Sequence, residues 1–143
     1  MGAWDLFSDG RTGRLAMGMS PIEVQSAFGE PDDWAINRRN QLTIFRYDEV
    51  ELHFYADELG LVHAEVDARN PRAFTCNRLG LGADELVWPI DLDELATAAE
   101  ARSLTAKAGV DALDRARLTI GHATVTDADD IMIVSVQPMR TVA

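Results

Sequence analysis

One cysteine, Cys76, and one lysine, Lys107, stand in a chain of 143 residues. A lone cysteine excludes an intramolecular disulfide and a cysteine-based zinc cluster, and suits a reducing compartment. Positive charge is scarce as well: 13 basic against 24 acidic side chains leave a formal net charge of −11. Such a field repels phosphate backbones and anionic lipid, so neither a nucleic acid nor a membrane surface is expected as a partner. Long apolar runs are missing too. The longest strongly apolar stretch, Ile131–Val136, is far short of a membrane span. The opening "MGAWDLFSDGRTGRLAMGMS" has acidic residues where a signal peptide needs basic ones, which points to the cytoplasm.

Motifs of high chemical specificity are also lacking. None of Ser8, Ser20, Ser26, Ser103 and Ser135 sits in a nucleophile-elbow pattern. Gly80 and Gly82 in "RLGLGAD" are a fragment of a phosphate loop without its lysine, and read as structural. Cys76 has Arg72 and Arg78 nearby in sequence, which could lower its pKa, but no histidine close in sequence. Asp127, Asp129 and Asp130 lack the glycine and distal glutamate of a calcium loop and read as an acidic turn. No cofactor is implied.

What is present is the patterning of a globular chain, 47% hydrophobic and 26% charged, long enough to bury a core as one domain over residues 1–143. In "GMSPIEVQSAFGEPDD", Ser20 is an N-cap, Pro21 suits the first helical position, and Glu23 completes a capping box. Met19 and Val24 form a hydrophobic staple, Gly29 supplies the stop and Pro31 blocks continuation, so a helix over 21–28 is expected. Next, "LTIFRYDEVELHFYADELGLVHAEVDA" alternates with period 2. A turn at Asp48–Glu49 would set Tyr47 opposite Val50, Phe45 opposite Leu52 and Arg46 opposite Glu51. A second turn at Asp57–Gly60 completes a three-stranded meander whose buried face carries Val50, Leu52, Phe54, Ala56, Val62, Ala64 and Val66.

Residues 68–90 have no sustained period and read as an irregular linker, with one short strand near Leu86–Trp88. Asp91 then caps a second helix, with Glu94 in the capping-box position. Its inner stripe runs through Leu92, Leu95, Ala96, Ala99, Ser103 and Ala106 to a stop at Gly109. A hairpin with strands near 117–125 and 131–137 ends the pattern. The expected class is α+β, an antiparallel sheet packed by one short and one longer helix. The order of elements suggests two related modules, about 17–67 and 91–137.

Two groups of side chains carry candidate function. Glu51, His53, His63 and Glu65 share the polar face of the meander. A three-residue turn puts His53 opposite His63; a five-residue turn puts it opposite Glu65. Such a set suits a wet sheet face, a zinc site, or a base with its orienting carboxylate. The second group, Glu30, Asp32 and Asp33, follows a helix C-terminus, where the helix dipole disfavours carboxylates. That placement calls for a compensating interaction or for an anionic loop aimed at a basic partner. Trp34 beside it is costly to expose unless it packs or binds.

The motifs over residues 17–67 resemble an uncharacterised family of small bacterial proteins with Gly-Met-Ser, Glu-Val and Gly-x-Pro-Asp-Asp followed by Tyr-x-x-x-Glu-Leu-His-Phe. More remotely, the short helix ended by Gly-x-Pro and followed by a meander is similar to the module of the outer-membrane assembly lipoproteins and of the β-lactamase inhibitor protein. That resemblance implies protein binding through a sheet face or loops. The expectation is a non-catalytic cytoplasmic protein, an immunity-like or accessory module for a protein partner that is basic in character. Its expected contacts are Asp32, Asp33, Trp34, Glu51, His53, Tyr55 and His63. Two alternatives are a metal-dependent or acid–base hydrolase on the His53/His63 patch and a small-ligand module with a pocket between Phe28, Trp34 and the sheet.

Overall fold

The structure, a computed structural model, describes residues 3–39, 41–66, 76–81, 90–128 and 131–138. Helix α1 (Ala3–Asp9) and a small hairpin, β1 (Arg11–Thr12) with β2 (Leu15–Ala16), lead into α2 (Pro21–Phe28). Four strands follow: β3 (Asp33–Asn37), β4 (Leu42–Tyr47), β5 (Val50–Tyr55) and β6 (Glu58–Val66). After a 3-10 turn at Asn77–Leu79, α3 (Leu92–Ala101) precedes β7 (Ala106–Val110), β8 (Ala116–Ile120), β9 (Ala123–Ala128) and β10 (Ile131–Val136). A helix followed by a four-stranded antiparallel meander therefore occurs twice. The meanders join edge to edge, in the order β3-β4-β5-β6-β10-β9-β8-β7, as one eight-stranded antiparallel sheet. The protein is α+β.

The expected α2 is present with both signals in place. Ser20 Oγ accepts from the Glu23 N–H while Glu23 Oε1 accepts from the Ser20 N–H. At the other end Gly29 has φ +85° and ψ −175°, a region open in practice only to glycine. Of the face expected to dock, Val24 is fully buried while Ala27 and Phe28 are half-buried. Chain entry is fixed by a two-way pairing with β6: Gly18 N–H donates to Leu59 O and Leu59 N–H to Met19 O.

The β4–β5 register is as expected, with Tyr47 opposite Val50, Phe45 opposite Leu52 and Arg46 opposite Glu51. The second turn is not at Asp57–Gly60. It is the two residues Ala56 and Asp57, at φ +51° and +64°, the backbone of a type I′ hairpin without its usual Asn-Gly. Ala56 is consequently an exposed turn residue rather than part of the buried face. The pairing then slips once, between His53 and Phe54, so β6 carries a bulge around Gly60 that restores Val62, Ala64 and Val66 to the core.

Three further expectations are corrected. Asp33 and Trp34, expected in a loop after the short helix, belong to the edge strand β3. The second helix ends at Ala101, because Ser103 adopts φ +61° and a Schellman stop closes over it: Ser103 N–H donates to Glu100 O and Leu104 N–H to Ala99 O. Ala106, expected in its last turn, opens strand β7. The C-terminal hairpin is likewise three strands, since Gly121–His122 turns what read as one strand into β8 and β9. The strand expected near Leu86–Trp88 and the turn residues Asp129 and Asp130 lie outside the described residues.

The core occupies one face of the sheet, where α1 packs on β9 and α3 on β7 and β8. Phe45, Tyr47, Leu52, Phe54, Val62, Val125, Val134 and Ile120 are buried there with Leu6, Phe7 and Leu95 of the helices. No described helix is long and apolar enough to cross a membrane. Burial alternates strictly along Val50–Phe54, so Leu52→Ala and Phe54→Ala should each cost about 2 to 5 kcal/mol, whereas His53→Ala should cost well under that. Equal losses in denaturant unfolding at all three positions would mean that β5 is buried on both faces.

Candidate functional site

The exit of α2 is built around Arg78. Its guanidinium lies 4.8 Å from the Tyr47 ring centroid, donates to the backbone carbonyls of Phe28 and Glu30, and pairs with Asp32 Oδ1 at 3.0 Å. Tyr47 Oη donates to Gly29 O at 2.7 Å, and Asp32 Oδ2 accepts from the Asp48 N–H at 2.7 Å. These contacts offset the carboxylate placed after a helix C-terminus. A cation sits on the last carbonyls of α2, where the dipole favours one, and the carboxylate then sits on the cation. The Asp48 N–H foremost, and the Arg78 charge with it, hold the Asp32 carboxyl below its ordinary value. Asp32 thus fixes the turn onto the β4–β5 hairpin.

From that fixed exit the chain enters β3, the outer edge of the sheet, whose residues are all exposed. Asp33 Oδ1 accepts from the Trp34 N–H at 2.9 Å. Trp34 stands opposite Phe45, yet it is 62% exposed, and Ile36 is 54% exposed. Trp34 is therefore presented to solvent from a strand rather than from a loop.

Residues directly opposite in antiparallel strands project from the same face. The pairings trace one unbroken polar row across all eight strands: Asp33, Arg46, Glu51, His63, Ser135, Thr124, Thr119 and Lys107. His63, not His53, faces Glu51; His53 faces Leu61. Neither turn considered from sequence produces this register, because a two-residue turn with a bulge does. The two imidazoles still adjoin, with ring centroids 6.1 Å apart. His53 Nε2 contacts Glu51 Oε1 at 2.9 Å, and His63 Nδ1 contacts Ser135 Oγ at 3.2 Å. Burial lowers the pKa of His63, with Glu51 opposing. Among the described residues no three of His, Cys, Asp and Glu converge as metal ligands.

Tyr55, 47% exposed, lies at the far end of β5 with its ring over Gly60, where a Cβ would come within 2.7 Å of it. Its ring centroid is 6.5 Å from that of His53. The candidate residues therefore form two sets, Asp32, Asp33 and Trp34 at the edge and Glu51, His53, Tyr55 and His63 on the face, with Arg46 between Asp33 and Glu51. No pocket among the described residues is lined by both Phe28 and Trp34. The hollow beside Trp34 is about 210 Å³ and is lined by Ala35, Ile44 and Arg46, while Phe28 lies under the Arg14 guanidinium. A larger cleft of about 660 Å³ opens between α3 and β7–β8, away from both sets. Cys76 is buried, and burial pushes its thiol up to about 11, the reverse of the activation its arginine neighbours suggested.

Sequence reasoning missed Arg78 and Ser135. Period-2 alternation marks Ser135 as outward-facing, but nothing local pairs it with His63, and Arg78 lies 46 residues from Asp32. No protein-family model, curated protein or solved structure matches the chain.

A carboxyl whose folded pKa is depressed stabilises the fold above its unfolded value of 3.8, and that stability is lost as pH falls through the folded value. Asp32→Asn should therefore lower the melting temperature at pH 7 and flatten its decline below about pH 4. An unchanged acid limb would mean that the Asp48 and Arg78 contacts do not hold the turn.

Proposed function

We propose that the protein is a non-catalytic binding module for another protein, engaging it through the open edge β3 and the polar face beside it. The observation that carries this reading is Trp34: a tryptophan 62% exposed on an edge strand whose position is set by the locked exit of α2. Exposed tryptophan on a rigid element is the residue type that dominates binding energy at interfaces, and an uncovered strand edge pairs readily with an extended segment. Glu30, Asp32 and Asp33 beside it, in a chain of net charge −11, favour a cationic segment as the occupant. The resemblance to modules that bind protein through a sheet face supports the same reading, in an accessory or immunity-like role in the cytoplasm.

The hydrolase alternative has one contact in its favour, the hydrogen bond between Ser135 Oγ and His63 Nδ1. The carboxylate that would orient His63 is instead engaged by His53, which leaves the pair without a third member among the described residues. Binding is therefore the better supported reading.

Trp34→Ala should leave thermal unfolding nearly unchanged and weaken capture of a partner from extracts of the source cells by roughly tenfold or more. The carboxylate share of that capture should fade as salt rises. Recovery of no specific partner at low salt, or equal recovery by the variant, would overturn the proposal.

A further inference from the structure

The segment that ends α2 and forms β3, "EPDDWAINRRN", is acidic at its start and basic at its end. Arg38 and Arg39 are exposed, and among the described residues neither makes an ion pair. We infer that the cationic segment suited to this edge is its own basic end, on a second copy of the chain: two β3 strands pair antiparallel about a two-fold axis at Ala35. This inference rests on the reading of β3 as a binding edge and adds a second copy of the chain as an occupant of it.

Backbone polarity sets the register. Tyr47 and Val50 flank a two-residue turn and so form a hydrogen-bonded pair, as do Phe45 with Leu52 and Thr43 with Phe54. The alternate residues of β4, namely Leu42, Ile44 and Arg46, turn their N–H and C=O groups toward β3, where they meet Asn37, Ala35 and Asp33. Trp34 and Ile36 consequently direct their backbone groups outward from the sheet. The Trp34 N–H donates to its neighbour's carboxylate, as an outward group must.

With the axis at Ala35, Trp34 lies opposite the second copy's Ile36, and each such pair exchanges both backbone hydrogen bonds. The two most exposed apolar side chains of the strand are covered by each other. Asp33 meets an asparagine instead of another carboxylate, and the flanking turns bring Asp32 to Arg38 and Glu30 toward the arginine pair. No like charges are set opposite each other, the self-complementarity an isologous interface requires. On pairing, Asp33 releases the Trp34 N–H to a carbonyl of the second strand.

Sedimentation velocity over a range of protein concentrations should show a monomer–dimer equilibrium. Arg38→Glu with Arg39→Glu should raise its dissociation constant by roughly tenfold or more. Ile36→Pro should abolish it, since proline deletes an outward donor and spares the β3–β4 ladder. Residues facing across a non-hydrogen-bonded pair lie within disulfide reach, so Ala35→Cys should form a disulfide-linked dimer with oxidised glutathione. Ile22→Cys, exposed elsewhere, should not, and Cys76 is buried. A monomer at every concentration, with Ala35→Cys linking no faster than Ile22→Cys, would overturn self-pairing. The binding reading is judged separately by Trp34-dependent capture of a different protein, which a monomeric chain can still show.

Discussion

Everything in the architecture depends on the antiparallel pairing of β6 with β10. Val66 faces Met132, Ala64 faces Val134 and Val62 faces Val136, all of them buried. A four-stranded meander has two edges, and each edge is a row of unsatisfied backbone groups. By joining their inner edges the two meanders satisfy both and bury one continuous core. What remains is one outer edge per half, β3 and β7, and the two differ in kind. β7 reads Ala-Lys-Ala-Gly-Val, with a lysine and a glycine in mid-strand, both unfavourable to further pairing. β3 carries Trp34 and Ile36.

The difference matters because β3 is held so firmly from behind. Entry to α2 is pinned by the exchange between Met19, Gly18 and Leu59, and its start by the Ser20–Glu23 box. Its exit is pinned by Tyr47, Arg78 and Asp32. A helix of eight residues is too short to be stable alone, so these end contacts and the buried Val24 supply its order. The short helix is scaffold, and what it positions is the start of the edge strand.

Much of this was legible in the sequence wherever the determinants are local. Ser20, Pro21, Glu23 and Gly29 specify α2 through contacts within a few residues, and period 2 along Val50–Tyr55 specifies the buried face of β5. Legibility fails where the deciding interaction is distant or where a residue takes an uncharacteristic conformation. Ala56 and Ser103 both adopt positive φ, and nothing in their side chains announces it. Hence the misplaced hairpin turn and the overlong second helix, whose apolar stripe runs on into Ala106. β3 escaped notice because all its residues are exposed and no alternation of burial marks it. For the candidate site, the neighbourhood of Glu51, His53 and His63 followed from strand parity. Which of them pair depended on a bulge, and the structural use of Asp32 depended on an arginine from another part of the chain.

Amide hydrogen exchange at Ala35 and Ile36 tests the central claim, an open edge presented by a locked strand, most directly. In dilute protein the Ala35 amide, bonded to β4, should exchange slowly, and the neighbouring Ile36 amide, facing outward, should exchange orders of magnitude faster. Equal protection of the two amides in dilute protein would show that the edge is already covered, and would contradict the account.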